Sequence, residues 1–305
     1  MPRAILSKYI QPEVLNRLSR QEFRPRQLVE GNLAGAHKSP LHGFAVEFAS
    51  HRQYVPGDDL RHLDWKVYYR RDKLAVKQYE METNLVCHLM LDVSASMRYG
   101  QGESQKLRYA SSLAATLAYL IVEQMDKAAL TIFDDRIRTM LAPSNGLEQI
   151  LRISEILDGI DPVEKTAIGP AVMEQAARAG RRGIVILLSD FFVDLDDLEK
   201  ALHRLRYDRH EVVLLQVMHH DELAFDLPGM IRFDGLEDND RFLTRPDDVR
   251  DAYLDAMNRF NGRLENLCES NRCERVLVDT SRAMAELFAD YLQQRKVDGR
   301  RRWMR

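Results

Sequence analysis

No apolar run in this 305-residue chain approaches the ~20 residues that a bilayer-spanning helix needs. The opening stretch MPRAILSKYIQPEVLNRL also lacks the long apolar core of a signal peptide. There are only three cysteines, an odd number that builds no disulfide framework. Cys87 lies inside an apolar run and reads as core packing, while Cys268 and Cys273 have no second pair with which to complete a zinc site. A reducing, cytoplasmic setting is expected. Basic residues are not in excess: 44 Lys and Arg face 47 Asp and Glu, a net charge of −3, so no overall field draws the chain to nucleic acid. Neither the phosphate-binding G-x-x-x-x-G-K-[ST] nor G-x-G-x-x-G occurs, and G-x-S-x-G is absent too.

What remains is 45% hydrophobic and 30% charged, an ordinary globular balance over a length that allows one large domain or two modest ones. The first 84 residues stand apart. Residues 3–20 read as one amphipathic helix, the stretch from Glu30 to Glu82 is rich in Gly, His, Arg and aromatics, and KLAVKQYEME alternates like a half-buried strand. After residue 84 apolar strands alternate with helices. LVCHLMLD, AALTIFDD, IVILLSD and EVVLLQVM read as core strands, IRTMLAP as a hairpin partner and ERVLVDT as a short last strand. Helices are expected over 105–127, within GLEQILRISEILDGI, IGPAVMEQAARAG and DLDDLEKALHRLRY, and over 247–271 and 281–295. A polar segment over 219–246 has room for a small hairpin, and a basic, mobile tail is expected over 296–305. The expected architecture is α/β: a mostly parallel sheet flanked by helices over 85–295, with an N-terminal helix plus β-rich extension over 1–84. Ligands of such sheets sit at the carboxyl ends of the strands.

Two of the strands end in polar groups that are costly to bury unless something binds them. The first ends at Asp92 and is followed by Ser94 and Ser96; the third ends at Ser189 and Asp190. Thr166, in EKTAIG before a helix, would join them on the same edge. Two carboxylates and a set of hydroxyls, with no His or Cys, form a hard-oxygen set suited to Mg²⁺. In extended chain, alternate positions such as 94 and 96 point the same way. The local alternatives are a helix cap at Asp92, Ser94 and Ser96, and a cap by Asp190 on the helix beginning near Asp194. Asp134 and Asp135 read as the turn before Ile137, MHHDE at 218–222 as a polar loop, and the basic tail as a solvated end that could also meet an acidic partner.

LMLDVSASM, KTAIGPAV and ILLSDFF together resemble the three elements of the metal-ion-dependent adhesion site of von Willebrand factor A domains, in their usual order. The resemblance implies direct metal contact by Ser94, Ser96 and Thr166, contact by Asp92 and Asp190 directly or through water, and a last position for an acidic group of a partner. The N-terminal half resembles the signature of the bacterial domain-of-unknown-function family 58, R-x-Y-x-x-G-D-D-x-R-x-x-D-W, carried here by Arg52, Tyr54, Gly57, Asp58, Asp59, Arg61, Asp64 and Trp65. These residues are expected to form an ion-paired structural network that locks the extension in place. The resemblance spans roughly residues 30 to 295, implies a von Willebrand factor A-like (Rossmann-like) fold, and fits the subgroup without the two membrane helices that many relatives carry. It further implies a non-enzymatic adaptor, chaperone-like in action, that works with a MoxR-type AAA+ ATPase or its client through Mg²⁺ (or Mn²⁺ or Ca²⁺). The alternative is a Mg²⁺-dependent hydrolase using Asp92 and Asp190.

Overall fold

The computed structural model describes residues 8–10, 14, 23, 46–55, 63–81, 85–160, 168–178, 182–235 and 241–303. They fall into two units by contact: Pro25–Asn84 forms one, and Met1–Arg24 groups with Leu85–Arg305 in the other. This division differs from the expected boundary, which kept 1–84 together. The reason is burial: Tyr9, Ile10, Val14 and Phe23 are all at most 6% exposed, and Phe23 packs its ring on Arg295 and Tyr291 near the opposite end of the chain.

In the smaller unit, β1 (Val46–Gln53) pairs antiparallel with β2 (Ala75–Met81), with a bulge between Phe48 and Ser50. Between them runs α1 (Trp65–Arg71). Asp64 caps it: its carboxylate accepts from the amides of Lys66 (2.9 Å) and Val67 (3.4 Å) and pairs with His51 Nε2 at 2.8 Å. The signature is thus a strand, a connection and a capped helix. Trp65 departs from the expected locking role, because it is 62% exposed and only stands edge-on to Tyr68. Gly57, Asp58, Asp59 and Arg61, and the side chain of Arg52, lie outside the described residues.

The larger unit is built on a six-stranded sheet of order β10-β7-β6-β3-β4-β5. Its strands are β3 (Val86–Asp92), β4 (Lys127–Phe133), β5 (Ile137–Ser144), β6 (Ile184–Ser189), β7 (Glu211–Met218) and β10 (Glu274–Asp279). All neighbours are parallel except β5, which returns antiparallel along β4. β5 is an edge strand with two register irregularities against β4, and it carries Pro143. β3, β6 and β7 are buried almost end to end, as strands covered on both faces must be.

Helix α2 (Lys106–Glu123) lies on one face with α3 (Leu147–Asp158) packed against it. On the other face α4 (Ile168–Arg178), α5 (Leu195–Tyr207) and α7 (Pro246–Ser270) share a core with the strands. Met90, Val185, Leu187, Val212 and Leu214 from the strands meet Val172, Leu198, Leu202 and Leu264 from these helices there. Successive strand side chains alternate between the faces, so these residues also fix the sheet's register. The 219–246 segment holds a short helix, α6 (His220–Ala224), and a hairpin of β8 (Ile231–Asp234) and β9 (Arg241–Thr244). The last helix, α8 (Met284–Trp303), runs through most of the expected tail. Nothing in RKVDGRRRW stops it, since Arg and Lys are good helix formers and one glycine costs only about 1 kcal/mol. Among the described residues no helix is long and apolar enough to cross a membrane.

Candidate functional site

The strand order reverses at β3. The chain goes from β3 outward to β4 and β5, then crosses back to β6 on the other side of β3. Crevices in open α/β sheets form at the carboxyl ends of strands at such a switch point, and here those ends are Asp92 and Ser189–Asp190.

Asp92 is fully buried. One carboxylate oxygen accepts from the Ser94 amide (2.9 Å) and the other from Ser189 Oγ (2.6 Å). Burial, together with the charge of Asp190, pushes its carboxyl up to about 7, against the hydrogen bonds from Ser189 and Ser94 that favour the anion. Ser94 is buried and heads a short 3₁₀ turn, Ala95–Arg98, but its side chain makes no cap bond to that turn. Its Oγ lies instead 3.1 Å from Ser96 Oγ. The helix-cap alternative therefore fails for Ser94, and Asp92, Ser94 and Ser96 do come together as one oxygen cluster.

Asp190, only 2% exposed, accepts from the Phe192 amide on Oδ1 (3.1 Å) and from Lys106 Nζ on Oδ2 (2.8 Å). It caps no helix; Asp194 does that for α5, accepting from the Asp196 amide. The turn that aims Asp190 is held by its neighbour. Phe191 sits at a left-handed φ of 63° and is completely buried in the core shared by α4, α5 and α7. The conformation costs about 1–2 kcal/mol, and burying the ring returns about 1.5–3 kcal/mol. Thr166 lies outside the described residues.

Two residues at this edge were missed in the sequence. Lys106 opens α2 and is fully buried; its ammonium also reaches Glu222 Oε1 on α6 at 2.9 Å. Burial would lower its pKa, but the carboxylates of Asp190 and Glu222 overcome that and raise it, so the lysine stays charged. The signal for Lys106 was its helical phase. It shares the stripe of Ala110, Leu113, Leu117 and Leu120, all buried. Glu222 left no such signal, because its role rests on a contact 116 residues distant in sequence.

Several other acids and histidines hold turns and helix ends. Asp134 forms the expected turn, accepting from the Arg136 amide at 3.2 Å and from Arg138 Nε. Burial would push its carboxyl up, but Arg138 and the turn's other hydrogen bonds hold it below the usual range. MHHDE, expected as a loop, instead ends β7 at Met218 and opens α6, with His219 and Glu222 forming a reciprocal capping box. His219 Nδ1 lies 3.2 Å from the Asp221 amide and 3.4 Å from its carboxylate, and Nε2 lies 3.3 Å from Ser104 Oγ, so the ring ties α6 to the loop before α2.

His220 pairs with Asp279 at 3.0 Å, joining α6 to the end of β10. Asp279, and to a smaller extent Asp221, raise the histidine's pKa, while Asp279 itself is lowered by its hydrogen bonds from Ser281 and His220 despite burial. A base raised in the folded state stabilises fully below its unfolded value of ~6.5 and loses that contribution as pH rises through its folded value. His220→Ala should therefore lower Tm at pH 5.5 and leave it unchanged at pH 9, as read by thermal unfolding. The pair is largely exposed, so the shift should be about a degree or two.

As a ligand set, the cluster offers hard oxygens and nothing soft. No group of three or more His, Cys, Asp or Glu is placed to hold a metal among the described residues, so any ion here depends on the serine hydroxyls. Asp92, Ser94 and Ser96 fit such an ion, because a buried carboxylate lies beside two hydroxyls uncommitted to the backbone. Asp190 adjoins them with one oxygen already on a lysine.

An uncharacterized protein of Mycobacterium tuberculosis is 25% identical over 222 residues, which cover 72% of this chain and 69% of its own; an uncharacterized protein of Mycobacterium bovis matches to the same extent. Among solved structures, an aerotolerance-related membrane protein from Bacteroides fragilis aligns over 69% of this chain and 99% of its own, with 20% identity and a TM-score of 0.44. A conserved hypothetical protein, BatB, from Bacteroides thetaiotaomicron aligns over the same shares with 19% identity and a TM-score of 0.42. The fold is read from the strand order alone. Residues 50–261, more than two thirds of the chain and including the whole signature and the Asp92 cluster, match the model of one family, and the chain belongs to it: the protein family of unknown function DUF58.

Proposed function

We propose that this protein is a cytoplasmic, non-enzymatic adaptor that docks an acidic residue of a partner protein through a divalent cation at the carboxyl edge of the sheet. The observation that carries the reading is the Asp92–Ser94–Ser96 cluster: a buried carboxylate beside two serine hydroxyls 3.1 Å apart at the switch point. A bound Mg²⁺ (or Mn²⁺ or Ca²⁺) would supply a positive centre of incomplete coordination, to which a carboxylate from another chain is the natural complement. Ser94 and Ser96 would hold the ion, Asp92 would neutralise part of its charge, and Ser189 keeps Asp92 oriented. Thr166 and Asp190 complete the proposed set. The alternative, Mg²⁺-dependent hydrolysis, would use Asp92 and Asp190 around the same ion; the family resemblance favours docking. The partner suggested by the family resemblance is a MoxR-type AAA+ ATPase or its client.

Isothermal titration with Mg²⁺ or Mn²⁺ should show one weak site, about millimolar, which disappears when Ser94 and Ser96 are both replaced by alanine. Equal binding by the folded double variant and the wild type would remove the site from this cluster.

A further inference from the structure

Lys106 is the feature that the docking scheme does not use. It is a lysine with no exposed surface, placed where a cation would act, with its Nζ 2.8 Å from Asp190 Oδ2 and 2.9 Å from Glu222 Oε1. Its ammonium also lies 5.6 Å from the centre of the Phe192 ring. Burying a lysine is expensive, and a helix N-terminus is the less favourable end for a positive charge. A packing role alone would be better met by leucine or methionine on the same stripe of α2.

Asp190 has two oxygens. The Phe192 amide takes one and Lys106 the other. An ion that used Asp190 would have to share an oxygen with the ammonium or displace it. Glu222 supplies the place to which the ammonium can withdraw. Its second oxygen is fixed by the His219 amide at 2.9 Å, and its carbonyl accepts from Tyr253 Oη at 3.1 Å, so it is a rigid anchor.

We propose that Lys106 is a resident cation of the site, which competes with the divalent ion for Asp190 and holds ion affinity low in the isolated protein. This rests on the docking reading above. It deepens that reading by making the ion weakly held until a partner's carboxylate adds negative charge to the site. Lys106 is a positioning and competing group, not a ligand.

The test is Mn²⁺ binding to the full-length chain, read from the free-ion EPR signal, with Asp92→Ala as the background for surface binding. Lys106→Met removes a like charge and frees Asp190, so Mn²⁺ should bind about tenfold tighter than to wild type. Glu222→Gln removes the lysine's other anchor and leaves it wholly on Asp190, so binding should weaken about threefold or more. The opposite signs of the two variants are what a general loss of structure cannot imitate. If wild type binds and Lys106→Met binds equally or more weakly, the inference is overturned and the lysine is a strut for Asp190. If neither wild type nor Lys106→Met binds up to about 20 mM, the docking reading itself fails and the inference with it. Should Lys106→Met not fold, Glu222→Gln decides alone: unchanged or tighter binding overturns the proposal.

Discussion

Asp92→Ala should abolish divalent-ion binding and, with it, at least 100-fold of the affinity for the partner, while leaving the protein folded. Asp92 is the buried carboxylate beside Ser94 and Ser96, and Asp190 already has one oxygen on Lys106, so a carboxylate–cation–carboxylate bridge has no ready substitute once Asp92 is gone. The stability of the variant should not suffer greatly. Removing a buried acid that lies beside another acid relieves repulsion, and it leaves only Ser189 Oγ and the Ser94 amide to be satisfied. The measurement is a pull-down of the proposed partner, a MoxR-type ATPase, by wild type and Asp92→Ala, each with and without EDTA. EDTA should reduce wild type to the level of the variant and leave the variant where it was. An EDTA-resistant complex that Asp92→Ala does not weaken, but deletion of 296–305 destroys, would transfer recognition to the basic carboxyl-terminal turns.

The second large effect lies at the opposite ends of the strands. Arg295, on α8, is 4% exposed and ion-pairs with Glu211 and Glu274, the first residues of β7 and β10. It also donates to Tyr291 Oη at 3.0 Å and lies over the Phe23 ring, 4.5 Å from its centre. Burial alone would lower the guanidinium's pKa, but Tyr291 and the two glutamates more than offset this and raise it, so its charge is permanent. Arg295→Met would leave Glu211, itself 5% exposed, as a buried anion that has lost this partner. Breaking one side of such a pair costs about 3–5 kcal/mol. For a chain of this size that is a fall in Tm of roughly 6–15 °C by circular dichroism. Adding Glu211→Gln to the same chain should recover a good part of it, because the cost is the stranded charge and not the lost attraction. A single variant within a degree or two of wild type would mean that Arg295 contributes packing only.

These two sites differ in how far the sequence discloses them. Asp92, Ser94 and Ser96 are spaced locally along one strand end, so alternation and a costly polar terminus make them visible without a structure. The strands themselves are visible for the same reason: β3, β6 and β7 are short apolar runs bounded by polar residues. Arg295, Glu211 and Glu274 are invisible, because nothing near any of them in sequence says that they will meet. Lys106 lies between these cases. Its place on a buried stripe is legible, but its partners on β6 and α6 are not. The helix expected over 3–20 hides its destination similarly. Tyr9 reaches Asp158, 149 residues onward, and Phe23, just past the expected helix, packs near Tyr291. Where a basic tail was expected, α8 continues to Trp303, because a run of arginines is compatible with a helix that continues.

The antiparallel edge strand β5 has a consequence for self-association. Open sheet edges recruit strands from other molecules, and the outcome ranges from swapped dimers to fibres. The irregular register of β5 against β4 and the missing amide hydrogen of Pro143 break the regular ladder that an incoming strand would have to extend. Along β5 the sheet is therefore closed to growth by backbone pairing, so concentrated protein should stay free of sheet-extension aggregates nucleated on that edge. In the docking reading proposed above, one fewer adhesive edge leaves contacts to side chains whose chemistry can tell one partner from another.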